Sequence, residues 1–285
     1  MLTVFSIPKP FVGSIGEIQE TAIASWAQLA PDMQVVLVGD EAGVAVAAAA
    51  AGATHIDEIK RNDHGTPRVD DAFARVAELA EHPLWCFVNT DIVLLDDFVP
   101  AVRASAATGP RFLMVGENRD LALVDQPDLS TPEAREQLRA RAVREGSSRG
   151  TAALDFFVFP AGLFDPMPPF LVGRACFDNW MIWKARQLGP VIDATAAVTA
   201  VHQSHGYGHL PGGKDEAYYG EEAAWNRTLA GGRKHLYTLH DASHKMRADG
   251  SIVRNFGATL RVRETARRSR AKLALLAGSR AKDTR

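Results

Sequence analysis

The sequence predicts an α/β fold, a mixed and mostly parallel sheet flanked by helices, with a basic helical extension at the C-terminal end. Three features point there. Short apolar and β-branched runs alternate with segments of helical periodicity from the first residues onward. Pro, Gly or acidic residues close the runs, as in strands covered on both faces. The order strand, helix, strand, helix, strand, helix, strand is that of a parallel sheet.

Residues 2–7 (LTVFSI) form the first expected strand and stop at Pro8-Lys9-Pro10. Residues 14–29 place Ile15, Ile18, Ala22, Ile23, Trp26 and Leu29 at helical spacing, with Ser14 as N-cap. QVVLV at 34–38 is the second strand, closed by Gly39-Asp40. An alanine-rich helix (43–51), a brief strand at 55–56, an amphipathic helix (66–79) and the strand Leu84–Val88 follow. Strands are then expected at 111–116, 155–160, Val191–Asp193 and 196–201, and helices at 130–144 and Phe177–Leu188. Nothing marks a linker before about residue 230, so residues 1–230 are read as one domain and 231–285 as an extension.

At 46% hydrophobic and 23% charged, the composition is that of an ordinary globular chain. No apolar stretch approaches the roughly 20 residues that span a bilayer. MLTVFSIPKPF lacks the basic and apolar regions of a signal peptide. Cys86 and Cys176 fit neither a zinc motif nor a disulfide framework, so a reduced, cytoplasmic chain is the expectation. Charge is uneven. Residues 257–285 hold nine Lys or Arg against two acids, so with a total of −2 the remainder carries −9.

In open α/β sheets ligands bind beyond the carboxyl ends of the strands. Pro8, Asp40 and Asn89-Thr90-Asp91 all fall on that edge. Residues i and i+2 of a strand share a side, so Asn89 and Asp91 can present two oxygens together. Hard oxygen ligands suit Mg²⁺ or Mn²⁺ completed by substrate phosphates. A turn after a buried strand, with Asp96 or Asp97 capping the next helix, is the plainer alternative.

An apolar strand running into Asn-Thr-Asp, within this order of elements, resembles the GT-A glycosyltransferases and their Asp-x-Asp signature over residues 2–209. The resemblance implies a sugar transferred from a nucleotide-diphosphate donor to a glycan, lipid-linked saccharide or other hydroxyl acceptor. It also implies Mn²⁺ or Mg²⁺ on the diphosphate. Asp91 matches the last acid of the signature and Asn89 its first position, one carboxylate fewer than the common form. Asp40 falls where the family contacts the nucleoside, Pro8 lines the same pocket, and Asp70 and Asp71 open a helix that often touches it. The resemblance makes Asp178 the base of an inverting reaction and His202, or His205, a further metal ligand.

Several residues keep two readings. Asp178 is a base or a helix cap. Phe170, Phe177 and Trp180 stack on a sugar or fill the core, Trp183 more readily the core. Asp155 is a further acid near the acceptor. The three histidines of HQSHGYGH (202–209) also suit zinc, without the helical spacing or thiolates of common zinc sites. The Gly-rich segment 206–220 reads as a lid or a surface loop. The tail 261–276 reads as a solvated helix or as a peripheral contact with anionic lipid; without basic-aromatic interleaving, nucleic acid is disfavoured. A nucleotidyltransferase would need a Gly-rich basic loop after the first strand, and only Lys9 and two separated glycines stand there. A non-catalytic nucleotide- or glycan-binding protein, or a zinc hydrolase, would also accommodate these residues.

Overall fold

The computed structural model describes residues 1–123, 126–206 and 212–257. The basic segment 261–276 and part of the expected lid lie outside them.

The chain runs β1 (Leu2–Ser6), α1 (Gly13–Ala27), β2 (Met33–Val38), α2 (Val44–Ala51), β3 (Thr54–Ile56), α3 (Val69–Leu79), β4 (Leu84–Val88), β5 (Ile92–Val93), α4 (Phe98–Ala106), β6 (Leu113–Val115) and β7 (Asn118–Leu121). It continues through α5 (Pro132–Glu145), β8 (Ser147–Ser148), β9 (Phe156–Pro160), α6 (Phe177–Leu188), β10 (Val191–Asp193), β11 (Ala200–Gln203), α7 (Gly213–Tyr219), α8 (Glu221–Leu229), β12 (His244–Met246) and β13 (Ile252–Arg254).

Among the described residues, nine strands make one sheet in the order β13-β12-β10-β6-β9-β4-β1-β2-β3. Strands β3, β2, β1 and β4 are parallel, whereas β9 runs antiparallel between β4 and β6. The carboxyl ends of β1, β2 and β4 therefore share a rim with the amino end of β9. A smaller sheet, β5-β11-β7-β8, stands against that rim.

Period-two alternation sorts the strands into two cores. Phe5, Trp85, Phe87, Phe157 and Phe159 face one side, where α3 and α6 pack with Phe73, Phe177 and Met181. Leu2, Val4, Cys86, Val88, Phe156 and Val158 face the other, under Trp26 of α1, Ala48 of α2 and Phe98 of α4. The Phe73 and Phe159 rings stack at 5.7 Å. Phe170, Phe177 and Trp180 are buried in the first core, so the sugar-stacking alternative for them is corrected.

Other expectations shift as well. Val12, not Ser14, precedes α1, and its side chain makes no cap. Asp97 precedes α4 without capping it, accepting instead from the Thr199 N–H at 2.9 Å, while Asp96 pairs with Arg135 at 2.7 Å. The strand expected at 196–201 begins at Ala200, after a turn closed by Ala197 and Val198 amides on the Ala194 carbonyl. Residues 213–219 are helical rather than an open loop. Beyond residue 230, β12 pairs with β10 and β13 with β12, so the described part of the expected extension completes the main sheet. No described helix is long and apolar enough to cross a membrane.

Candidate metal and substrate site

Asp91 sits in the tight turn between β4 and β5, held by the Ile92 amide on the Asn89 carbonyl at 3.1 Å. Strand β5 pairs antiparallel with β11, and His202 stands directly opposite Ile92. That register sets His202 beside Asp91, with Nε2 3.8 Å from Oδ2. His205, just past the strand, brings its Nε2 to 2.9 Å from the same oxygen. Donor atoms of the three residues lie within 4.8 Å of one another, a cluster with metal-ligand dimensions.

The protons of this cluster are decided by its neighbours. Asp120 on β7 is the register partner of His202, and its Oδ1 lies 2.6 Å from His202 Nδ1. A carboxylate only accepts, so Nδ1 carries the hydrogen. His205 Nδ1 likewise donates to the Gly206 carbonyl at 2.9 Å. Both Nε2 atoms then turn toward the carboxylate of Asp91, and His205 Nε2, at 2.9 Å, meets it through a proton or a metal ion. Burial alone would raise the Asp91 carboxyl, but the His205 hydrogen bond and the charges of His202 and Lys9 hold it well below the ordinary carboxylate range. His205 is raised in return, chiefly by that bond. Asp91 Oδ1 is buried with no hydrogen-bond partner. An orphaned buried carboxylate oxygen beside two imidazoles fits a divalent cation.

Asn89 points elsewhere. Its side-chain amide donates to Asp155 Oδ1 at 2.7 Å, and its backbone amide to the Asp155 carbonyl at 2.9 Å. Asp155 Oδ2 accepts from Asn118 at 2.6 Å and from Arg149 at 2.9 Å. Burial raises the Asp155 carboxyl, and Arg149 opposes the rise. Asp178 lies in the first turn of α6 after Cys176, whose φ of 93° makes the sharp entry to the helix. Its Oδ1 is buried and unpartnered. Burial pushes the carboxyl up to about 7; backbone amides of the helix start oppose this and nearby Asp155 adds to it.

The remaining expected residues lie farther along the rim. Pro8 is buried just beyond β1, and Lys9 is fixed through both backbone groups by Gln19 at 2.7 and 2.9 Å. Asp40 is exposed and paired with Arg61. Asp70 is held by Arg68, with contacts at 2.7 and 3.1 Å. Asp71 is buried on Arg75 and the Lys60 amide. Sequence reasoning passed over Asp120, Asn118 and Arg149. For Asp120 the meaning lies in its register with His202, which its own sequence neighbours do not carry.

No family model and no curated protein matches the chain. Solved structures do resemble it. A mannosyltransferase from Pyrobaculum calidifontis in complex with GDP-Man and Mn²⁺ is 14% identical, over 70% of this chain and 56% of that one, with a TM-score of 0.44. TarS of S. aureus, in complex with UDP-GlcNAc, is 15% identical over 72% and 60%, with a TM-score of 0.46. Glucosyl-3-phosphoglycerate synthase of M. tuberculosis is 17% identical over 82% and 81%, with a TM-score of 0.48. The chain thus spans less than two thirds of the first two. At these identities and scores the likeness bears on neither substrate nor mechanism.

Proposed function

We propose that the chain is a glycosyltransferase that moves a sugar from a nucleotide-diphosphate donor to a hydroxyl acceptor with the help of a divalent cation. The observation that carries this reading is the Asp91–His202–His205 cluster at the carboxyl end of β4, with its orphaned Asp91 oxygen. Asp91, His202 and His205 would hold the ion, and Asp120 would orient His202. When bound, the ion would stabilise negative charge developing on the departing nucleoside diphosphate. Mn²⁺ suits two imidazoles and one carboxylate better than Mg²⁺ does, and Zn²⁺ suits them too, which keeps a zinc hydrolase as the second reading.

The chain's own residues supply the rest. Asp178, at the start of α6, takes the proton of the attacking hydroxyl in an inverting reaction; a carboxyl near pH 7 is matched to that task. Asn89 acts through Asp155 rather than on the ion. Asp40, Pro8 and Asp70 line the donor end of the rim, where Arg61 holds Asp40 in place. A glycan or lipid-linked saccharide is the proposed acceptor, and the basic tail a peripheral membrane contact, read out by flotation with anionic vesicles.

Calorimetric titration with UDP, GDP, CDP and dTDP, each with and without Mn²⁺, tests the proposal. One nucleotide is expected to bind in a metal-dependent way, and Asp91→Ala to abolish that dependence. Binding indifferent to both metal and Asp91 would sink the reading. Stoichiometric zinc in the purified protein without nucleotide binding would favour the hydrolase.

A further inference from the structure

A cavity of about 610 Å³ opens between the β3–α3 connection, residues 169–171 and α8, away from Asp91. Its wall on α8 is one helical face, Glu221, Ala224, Trp225 and Thr228, at spacings of three and four. Trp225 is 53% exposed, although a ring of that size ordinarily seeks burial. The opposite wall carries Arg61, His64 and Arg68.

The guanidinium groups of this cavity, and its Glu222, are already paired. Arg61 pairs with Asp40 and Glu41, Arg68 with Asp70, and Glu222 with Arg174. No guanidinium on the wall is left to take a phosphate, and Asp63 and Glu221 repel other anions. A neutral ligand fits, one rich in hydroxyls for the paired charged groups and offering an apolar face for the indole. That is the chemistry of a pyranose ring.

The cavity is also built before any ligand arrives. The Asn62 side chain pins its own turn by accepting from the His64 and Thr66 amides at 3.1 and 2.8 Å. It then donates to Glu222 on α8 at 2.6 Å, tying the two walls together. Asn226, fully buried, clasps Leu171 through both its N–H and its carbonyl at 2.9 and 3.0 Å. Little ordering remains to be paid on binding.

We infer that this cavity binds a neutral saccharide unit stacked on Trp225 and serves as a distal acceptor subsite. Its role as acceptor site rests on the transferase reading; the binding itself does not. Leu171, which lines one wall, stands seven residues before Asp178, and Arg61 on the other wall holds Asp40. The cavity therefore flanks the proposed reaction rim.

Saturation-transfer NMR of the full chain with maltotriose, cellotriose, mannotriose and triacetylchitotriose tests the inference, run beside the nucleotide calorimetry on the same samples. At least one trisaccharide is expected to bind. Trp225→Ala should weaken it about tenfold, a change of about 1.4 kcal/mol. Trp225→Phe should retain most of it, and nucleotide binding should be unmoved. Because Trp225 is half exposed, neither variant removes core packing. Absence of binding across the panel, or binding indifferent to Trp225→Ala, would overturn the site. Loss of nucleotide rather than saccharide in Trp225→Ala would reassign the cavity to the donor base. Trp225-dependent saccharide binding without any nucleotide binding would keep the site and remove the transferase reading.

Discussion

Asn89 and Asp155 meet across the β4–β9 pair, and that contact explains why an amide stands at position 89. Asp155 is buried and needs donors; Asn89, Asn118 and Arg149 supply them. A carboxylate at 89 would replace one donor with a like charge. Asn89→Asp is expected to lower stability by about 1–3 kcal/mol, read from the midpoint of denaturant unfolding. Asp178 carries a prediction in pH. Its folded carboxyl titrates near 7, against the ordinary 3.8 when unfolded, so between those values the folded state binds the extra proton. Its contribution to stability therefore falls as pH rises from about 4 to 7, by at most about 1.4 kcal/mol per unit. Under the proposed reaction Asp178→Asn should flatten that slope and abolish transfer, and kcat/KM of the parent protein is expected to rise with pH through a midpoint near 7. Asp120→Asn should weaken metal affinity about 10–100-fold and leave the fold intact, as metal titration by calorimetry would show.

At the scale of elements, the long pieces were legible and the short ones were not. Phe177–Leu188 coincides with α6 because its apolar periodicity and the following Gly189 mark it. In the smaller sheet only β11 was foreshadowed, by the strand expected at 196–201. Strand β5 has two residues, β8 two, and β7 reads Asn-Arg-Asp-Leu, so none carries a hydrophobic period to detect. Asp120 was missed for that reason: its meaning comes from register with His202, not from its own neighbourhood. Asp91 and the histidines could be found because they stand within four residues of the end of an apolar run, Val88 in one case and Val201 in the other. Helix α8 offers a test of local attachment. Asn226→Ala would leave the Leu171 N–H and carbonyl buried without partners, and about 2–4 kcal/mol of stability is expected to go with them, measurable by thermal unfolding.

For the whole molecule, the returning strands β12 and β13 matter most. A chain ended at residue 230 loses both and bares the edge of β10, whereas one ended at residue 257 retains the complete nine-stranded sheet. The shorter chain is expected to aggregate or to unfold at a lower temperature than the longer one in scans of the two truncations. The cluster at the rim has a further consequence for the chain as a polymer. Asp91 and His205 stand 114 positions apart. An ion gripping both is a clasp across that span, fastening the small sheet to the large one in the native state alone. At a hundredfold excess over its dissociation constant, such an ion adds about 2.7 kcal/mol to the folded state. A chelator would then act on this protein as a mild, reversible denaturant, loosening the architecture as well as silencing the chemistry.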